Sequence, residues 1–397
     1  MVLLRRATAF ILIFLISGCN YPSKPPAPTV DLVATAVTGT LAAEDIPTGQ
    51  ATNSVDFPLP HTVFFISDTS GSAQVWRLEA DGATKSRFTV EPEAIDSYDV
   101  SRLDGSISYV TNNQLYLVDT DGSERRLLVD NSAADPVAAD YFYRQRISDP
   151  RFSPNGRYLV YSFNGLWILD LSTYQATQLL VNEIEETESG VSPVAFYTPL
   201  VWAPDNQKIV VAIGESENSR LSFLNLSDAQ FLTDFETSNG LFCCQIVWAP
   251  DGDSVLVGSP YIGLIEPGLW RYDANSGELT ELVGVGEGGL FEFVGWPLQL
   301  ADGSLRYFYT SSTEIPAADL PLFMMSSDGD GVSHRAELRP DSFSNIGEIL
   351  WADDGLLALI VQLNPSGDIS GSVVLAHSDG HQLQILLSDA QQLKWGP

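Results

Sequence analysis

From His61 to the C-terminus, short apolar runs alternate with clusters of Asp, Asn, Gly, Ser and Pro. Runs such as Tyr158-Leu159-Val160-Tyr161-Ser162 and Lys208-Ile209-Val210-Val211-Ala212 precede aromatic-aliphatic runs that end in Asp. Examples of the latter are Leu115-Tyr116-Leu117-Val118-Asp119, Leu166-Trp167-Ile168-Leu169-Asp170 and Leu269-Trp270-Arg271-Tyr272-Asp273. A further run closes the unit, as in Glu124-Arg125-Arg126-Leu127-Leu128 or Gln382-Leu383-Gln384-Ile385-Leu386. Runs this short, rich in β-branched and aromatic residues and bounded by turn formers, predict strands of roughly 4 to 8 residues. Asp-Gly pairs at Asp81-Gly82, Asp121-Gly122, Asp328-Gly329 and Asp379-Gly380 suit hairpins, whose tight connections need positive φ. The pattern predicts units of four antiparallel strands.

The units recur. Val100 with Asp104-Gly105, Phe152-Ser153-Pro154-Asn155-Gly156, Trp202-Ala203-Pro204-Asp205-Asn206, Trp248-Ala249-Pro250-Asp251-Gly252, Trp296 with Asp302-Gly303, and Trp351-Ala352-Asp353-Asp354-Gly355 form one series. Measured on the turn Asp or Asn, the spacings are 51, 50, 46, 51 and 52 residues. A period in this range, built of short strands, predicts an all-β fold of the β-propeller type. Residues His61 to Phe88 supply the second, third and fourth strands of a unit without the first. Leu393-Lys394-Trp395-Gly396-Pro397 supplies that missing strand, with Trp395 placed as Trp351, Trp248 and Trp202 are in theirs. The expectation is seven four-stranded blades, beginning near residues 61, 98, 149, 199, 245, 293 and 348. The C-terminal strand pairs into the N-terminal blade and closes the ring without a free edge. Counts of six or eight stay open, because the first and sixth units are degenerate.

The string Phe152-Ser153-Pro154-Asn155-Gly156-Arg157-Tyr158-Leu159-Val160-Tyr161 resembles the WSPDGxxIAF repeat of the TolB-like β-propeller family. The resemblance extends over residues 61–397 and is best at positions 152, 202 and 248. It implies a scaffold in which the Pro starts the turn, the Asp-Gly makes it and the aromatic packs between blades. It implies no particular activity.

Charge narrows the partners. The chain carries 20 basic and 51 acidic residues, a net charge of −31. A polyphosphate needs clustered Lys or Arg, so nucleic acid is not an expected partner. Scattered through turns, the acids read mainly as a solvated surface, with cationic partners or divalent ions compatible.

Arg5 and Arg6 precede an apolar core, Ala9 to Ile16, and Ile16-Ser17-Gly18-Cys19 resembles a bacterial lipoprotein box. A run this short does not span a bilayer, which needs roughly 20 residues. Residues 1–18 are therefore expected as a signal peptide and Cys19 as the lipidated residue, which makes the membrane a partner through the N-terminal lipid. Residues 19–60, rich in Pro, Ala and Thr, are expected as a disordered tether spanning about 35 Å root mean square. Residues 61–397 form the propeller domain.

The long connections predicted on one face are Asn131 to Pro150, Asn182 to Pro199, Asp234 to Gln245, Ser259 to Gly268, Gly284 to Glu292 and Ser311 to Leu320. In the first lies Tyr141-Phe142-Tyr143-Arg144-Gln145-Arg146, an aromatic and basic cluster against an acidic background. Tyr141, Tyr143, Arg144 and Arg146 are the candidate binding residues, since Tyr and Arg anchor many interfaces. Equally, the rings would serve only to cap the adjacent blade. Glu183, Glu185, Glu186 and Glu188 read as a solvated loop. Cys243 and Cys244 are expected either as buried thiols or as a strained vicinal disulfide; neighbours on a strand point to opposite faces, which opposes the bridge.

No G-x-S-x-G elbow and no H-E-x-x-H motif occurs, and His377 and His381 merely flank a turn. No cofactor, metal or catalytic residue is expected, and oligomeric state is not indicated. The reading is a membrane-anchored extracytoplasmic binding or assembly module for a protein, peptide or glycan. The alternative is a surface hydrolase or lyase with carboxylate chemistry in the central channel. Channel carboxylates with raised pKa would favour the enzyme, and an aromatic, Arg-lined face the binder.

Overall fold

The repeated turns close in one way. The side-chain oxygens of Asp104, Asn155, Asp205, Asp251, Asp302 and Asp354 each accept the backbone N–H two residues on, at 2.8 to 3.1 Å. This local bond makes Asp and Asn effective turn residues, and it gives part of the acidic excess a structural role. A computed structural model describes residues 58–187, 190–215, 219–234, 243–259, 268–284, 291–312, 320–364 and 370–397.

The strands form antiparallel sheets. Four of these have four strands each: those within 95–130, 148–181, 243–283 and 291–343. In the strand Val63–Ser67 every residue is buried, because Val63 and Phe65 pack to one side and Phe64 and Ile66 to the other. Burial on both faces explains why such runs read as continuously apolar rather than alternating. The core is accordingly divided between neighbouring sheets. Phe64, Ile66 and Val75 pack on Tyr98, Ile107 and Tyr109, while Val63, Phe65 and Leu78 pack on Leu359, Val361 and Leu375. Burying a side chain of this size stabilises by about 1.5–3 kcal/mol.

The described residues form six sheets where seven separate ones are expected. The physical reason is the strand Leu383–Trp395, which runs unbroken where two strands are expected. Its first half pairs with Gly371–His377, as in Val373↔Leu387, and its second half with Val63–Ser67, as in Val63↔Trp395 and Phe64↔Lys394. One seven-stranded sheet results. The innermost strands touch in a cyclic order. Ile95–Val100 meets Ser148–Phe152, followed by Gly190–Trp202, Cys243–Trp248, Phe291–Gln299, Ile346–Trp351 and Leu383–Trp395, which returns to Ile95–Val100.

The repeat tryptophans join successive sheets. Trp202 Nε1 donates to the Arg151 carbonyl at 3.1 Å, Trp248 to Val201 at 3.2 Å and Trp351 to Trp296 at 2.9 Å. Val100 has no such donor. There the Tyr98 hydroxyl donates instead, to the Gln392 carbonyl at 2.5 Å.

Two local expectations are corrected. The segment around Glu183 is not a loop: Glu183–Thr187 pairs with the first half of Gly190–Trp202, from Thr187↔Gly190 to Glu183↔Ala195, and adds a fifth strand to its sheet. In Asp328-Gly329-Asp330-Gly331 the turn uses the second pair, with Gly331 at φ 75° and Asp330 accepting the Val332 and Ser333 N–H groups. Glu188 and most of the long connections after Asp234 lie outside the described residues, as do residues 1–57 with Cys19. Cys243 and Cys244 belong to the backbone of Cys243–Trp248, and their side chains lie outside the description. Among the described residues no helix is long and apolar enough to cross a membrane.

Candidate functional site

The Tyr141–Gln145 segment is a single π-type helical turn in the connection before Ser148–Phe152. It is held from below by asparagines. Asn113, in the left-handed conformation at φ 56°, donates to the Gln145 carbonyl at 2.9 Å and accepts the Ile147 N–H at 2.7 Å. Asn131 donates to the same Gln145 carbonyl at 2.6 Å, and Gln145 Nε2 donates to Asp140 at 2.8 Å. Asn182 donates to the Tyr143 carbonyl at 2.5 Å and accepts the Tyr197 N–H at 3.0 Å, which ties the turn to the Gly190–Trp202 strand.

That tie assembles three rings. Phe142 and Tyr143 meet edge-to-face with centroids 5.2 Å apart, and both contact Phe196, at 6.0 and 5.6 Å. Phe196 lies over Gly214 on the paired strand, where a Cβ would stand 2.0 Å from the ring. Phe142 remains 50% exposed, so the trio has an open corner. The Arg146 guanidinium lies 5.6 Å from the Phe142 centroid, a cation–π distance. Arg144 projects to solvent and Tyr141 is half-buried. Burial pushes the Tyr143 hydroxyl up. Tyr143, Arg144 and Arg146 are thus brought to one place. Phe142 and Phe196 join them without having been singled out in the sequence, where Phe196 lies over fifty residues from the cluster.

A second group lies on the inner rim. Glu348 accepts the backbone N–H groups of Gln392 and Leu393. Protein surrounds its carboxyl while part of the residue still meets solvent, and desolvation pushes its pKa up to about 7 against the opposing Lys394 charge and the two N–H donors. Nearby, Lys394 Nζ lies 3.5 Å from Asp99, whose other oxygen accepts the Phe152 N–H at 2.8 Å. Tyr98 is raised by burial and then by the charges of Glu348 and Asp99. Asp96, next to Ile95 at the start of its strand, is also raised by desolvation, opposed by Arg146, although its side chain reaches water. Glu348 and Asp99 each accept backbone donors of another inner strand, Leu383–Trp395 and Ser148–Phe152 respectively. Their first role is to fasten one inner strand to the next.

A third feature is a shallow cleft of about 550 Å³ bounded by Val90, Glu93, Asn112, Gln114, Tyr116 and Arg125. In its wall Arg125 pairs with both Glu91 oxygens at 2.7 and 2.9 Å and lies 3.6 Å from the Tyr116 ring centroid. Tyr109 donates to Glu91 at 2.6 Å. Arg125, Glu91 and Tyr109 are taken by one another, which suits a brace between the sheet within 95–130 and the connection that leads into it. Among the described residues no three His, Cys, Asp or Glu side chains converge to hold a metal.

Antiparallel sheets that touch in order through their inner strands are the architecture of a β-propeller, and the aromatic corner lies exposed on its surface. Among solved structures, the chain is similar to an oligogalacturonate lyase from Vibrio parahaemolyticus. The TM-score is 0.54 at 11% identity, covering 82% of this chain and 84% of that one. It is also similar to TolB from Acinetobacter baumannii, with a TM-score of 0.44 at 16% identity, covering 84% and 82%. No protein-family model matches the chain, and no curated protein matches its sequence. At these identities the likeness concerns the fold.

Proposed function

We propose that the chain is a TolB-like, lipid-anchored, extracytoplasmic propeller that binds a protein, peptide or glycan on the face bearing Phe142, Tyr143, Arg144 and Arg146. The observation that carries this reading is the open aromatic corner flanked by two arginines. A half-exposed Phe held in place by two further rings and three asparagines, beside two arginines, is a preformed aromatic and basic patch of the kind that anchors interfaces. In this reading the seven-stranded sheet is two blades sharing the strand Leu383–Trp395. The count is then seven, and the cyclic contacts of the inner strands support a closed ring. The Arg5-Arg6 and Ile16-Ser17-Gly18-Cys19 signature supports anchoring at Cys19, with the tether of residues 19–60 holding the propeller off the membrane.

The test is a pull-down from host membranes with the wild-type chain and with Tyr143→Ala/Arg144→Ala/Arg146→Ala. A partner lost in the variant supports the reading, and an unchanged set of partners overturns it for this face. Incorporation of a fatty-acid label that disappears in Cys19→Ala tests the anchor. One observation favours the alternative of a hydrolase or lyase: the Glu348 carboxyl near 7 on the inner rim, in the range of a general acid or base. Turnover of a polysaccharide or peptide panel that is abolished in Glu348→Gln, with the fold intact, would establish it.

A further inference from the structure

The corner also carries information on what covers it, an inference that rests on the binding role proposed above. Charge comes first. In a chain with 51 acidic and 20 basic residues many guanidiniums find a carboxylate, although among the described residues Arg87, Arg126, Arg271, Arg306 and Arg335 hold none within 4 Å. Arg77, Arg102, Arg125, Arg151 and Arg157 each hold one within 4 Å. Neither Arg144 nor Arg146 has an ion pair with any described carboxylate, though both flank the half-exposed Phe142. Arg146 feels the charge of Asp96 only from beyond ion-pair distance, so both guanidiniums can take a carboxylate from outside.

Shape comes second. The ring planes of Phe142 and Tyr143 stand at 86°, and those of Phe142 and Phe196 at 75°. Rings so arranged form a corner, not a flat platform on which a sugar ring could stack. A corner suits the edge or tip of an inserted apolar side chain. We infer that this corner receives an acidic peptide segment in which an aromatic or large aliphatic side chain, flanked by carboxylates, inserts against Phe142 and Phe196 while the carboxylates pair with Arg144 and Arg146.

The test uses the full chain in detergent micelles and fluorescein-labelled heptapeptides read by anisotropy. One peptide has a central Phe flanked by two Asp on each side. Another replaces the Asp by Lys, and a third replaces the Phe by Gly. The net charge of −31 favours the Lys peptide, so tighter binding of the Asp peptide has to be local. The expected result is at least tenfold tighter binding of the Asp-Phe peptide than of either control, about 1.4 kcal/mol. That preference falls tenfold in Arg144→Gln/Arg146→Gln, with an unchanged melting temperature, and weakens as salt rises. Equal or tighter binding of the Lys peptide overturns the inference, as does a lack of binding by the Asp-Phe peptide. Arginine-dependent capture of an acidic oligosaccharide in its place overturns the peptide assignment and leaves the binding face standing. If no probe binds and the membrane pull-down also shows no arginine-dependent partner, the binding role itself falls.

Discussion

The indole Nε1 of Trp395 donates to the carbonyl of Trp351 at 2.6 Å, so the last repeat aromatic is bonded to the one before it. Trp395 is 4% exposed and belongs to the cluster that joins Val63, Phe65 and Leu78 to Leu359 and Leu375. This contact lies where the end of the chain meets its beginning. Replacing Trp395 by Phe keeps most of the apolar area but leaves the Trp351 carbonyl unpaired, at a cost of about 1–3 kcal/mol. Replacing it by Ala adds a cavity and raises the cost to about 3–5 kcal/mol. Urea unfolding of the two variants should give midpoints in that order below wild type. A midpoint for Trp395→Ala equal to wild type would show that this contact does not contribute to stability.

Within the half of Leu383–Trp395 that pairs with Val63–Ser67, at the register shift between Gln391 and Lys394, Gln392 takes the left-handed conformation at φ 54°. Glu348 holds the N–H groups of Gln392 and Leu393 from one side, and the Tyr98 hydroxyl holds the Gln392 carbonyl from the other. Tyr98→Phe removes that hydroxyl from a site where the ring is 1% exposed. Water does not readily replace it, and a loss of about 1–3 kcal/mol follows. Hydrogen exchange should show faster opening at residues 391–393 than in wild type, with other strands little changed. Uniform loss of protection would mean that the bond supports the whole molecule rather than this irregularity in the strand.

Glu348 makes stability depend on pH in a definite direction. Its carboxyl, raised in the folded state to about 7 from an ordinary value of 4.5, holds its proton more tightly folded than unfolded. The contribution is fully present below the unfolded pKa and is lost as pH rises through the folded pKa, between about pH 4.5 and 7. A shift of this size corresponds to at most about 3 kcal/mol, reduced by the water that reaches the side chain. Glu348→Gln, which carries no charge to desolvate, should not show this loss. The stability difference, variant minus wild type, should therefore grow from pH 5 to pH 8. A difference that stays flat across that range would show that Glu348 titrates as an ordinary carboxylate.

Which of these features the sequence reveals depends on how local their causes are. The repeated turn is legible because an Asp or Asn bonds to an N–H two residues away, and Gly or Asn supplies the positive φ. The pairing of Trp395 with Val63 is legible from the missing first strand. The continuity of Leu383–Trp395 is not, because a polar stretch around Asp389 to Gln392 reads as a break while long-range bonds from Glu348 and Tyr98 fix it as strand. The acidic strand Glu183–Thr187 is hidden for a related reason. Glu is a poor strand former, and only pairing with Val191 to Ala195 makes it one. In Asp328-Gly329-Asp330-Gly331 either pair satisfies the local rule, so sequence does not choose between them. The aromatic corner was half visible: Tyr143, Arg144 and Arg146 stand out by composition, but Phe196 and Gly214 gain their meaning only when the sheet brings them under Phe142.

Gly214 gives the sharpest test that the corner is a built site. It lies opposite Phe196 in the strand pair, in a conformation open to any residue, and a Cβ there would come within 2.0 Å of the Phe196 ring. In Gly214→Ala the ring must swing away, costing about 1–3 kcal/mol for the overpacked contact. Phe142 and Tyr143 then lose the surface they rest on, at 6.0 and 5.6 Å between ring centroids. Neither arginine is touched. Partner capture should fall severalfold while the melting temperature drops by only a few degrees, and Gly214→Ser should behave alike. If capture survives in a variant whose Phe196 ring is shown by NMR to have moved, the arginines alone hold the partner and the aromatic rings serve only to cap the blade.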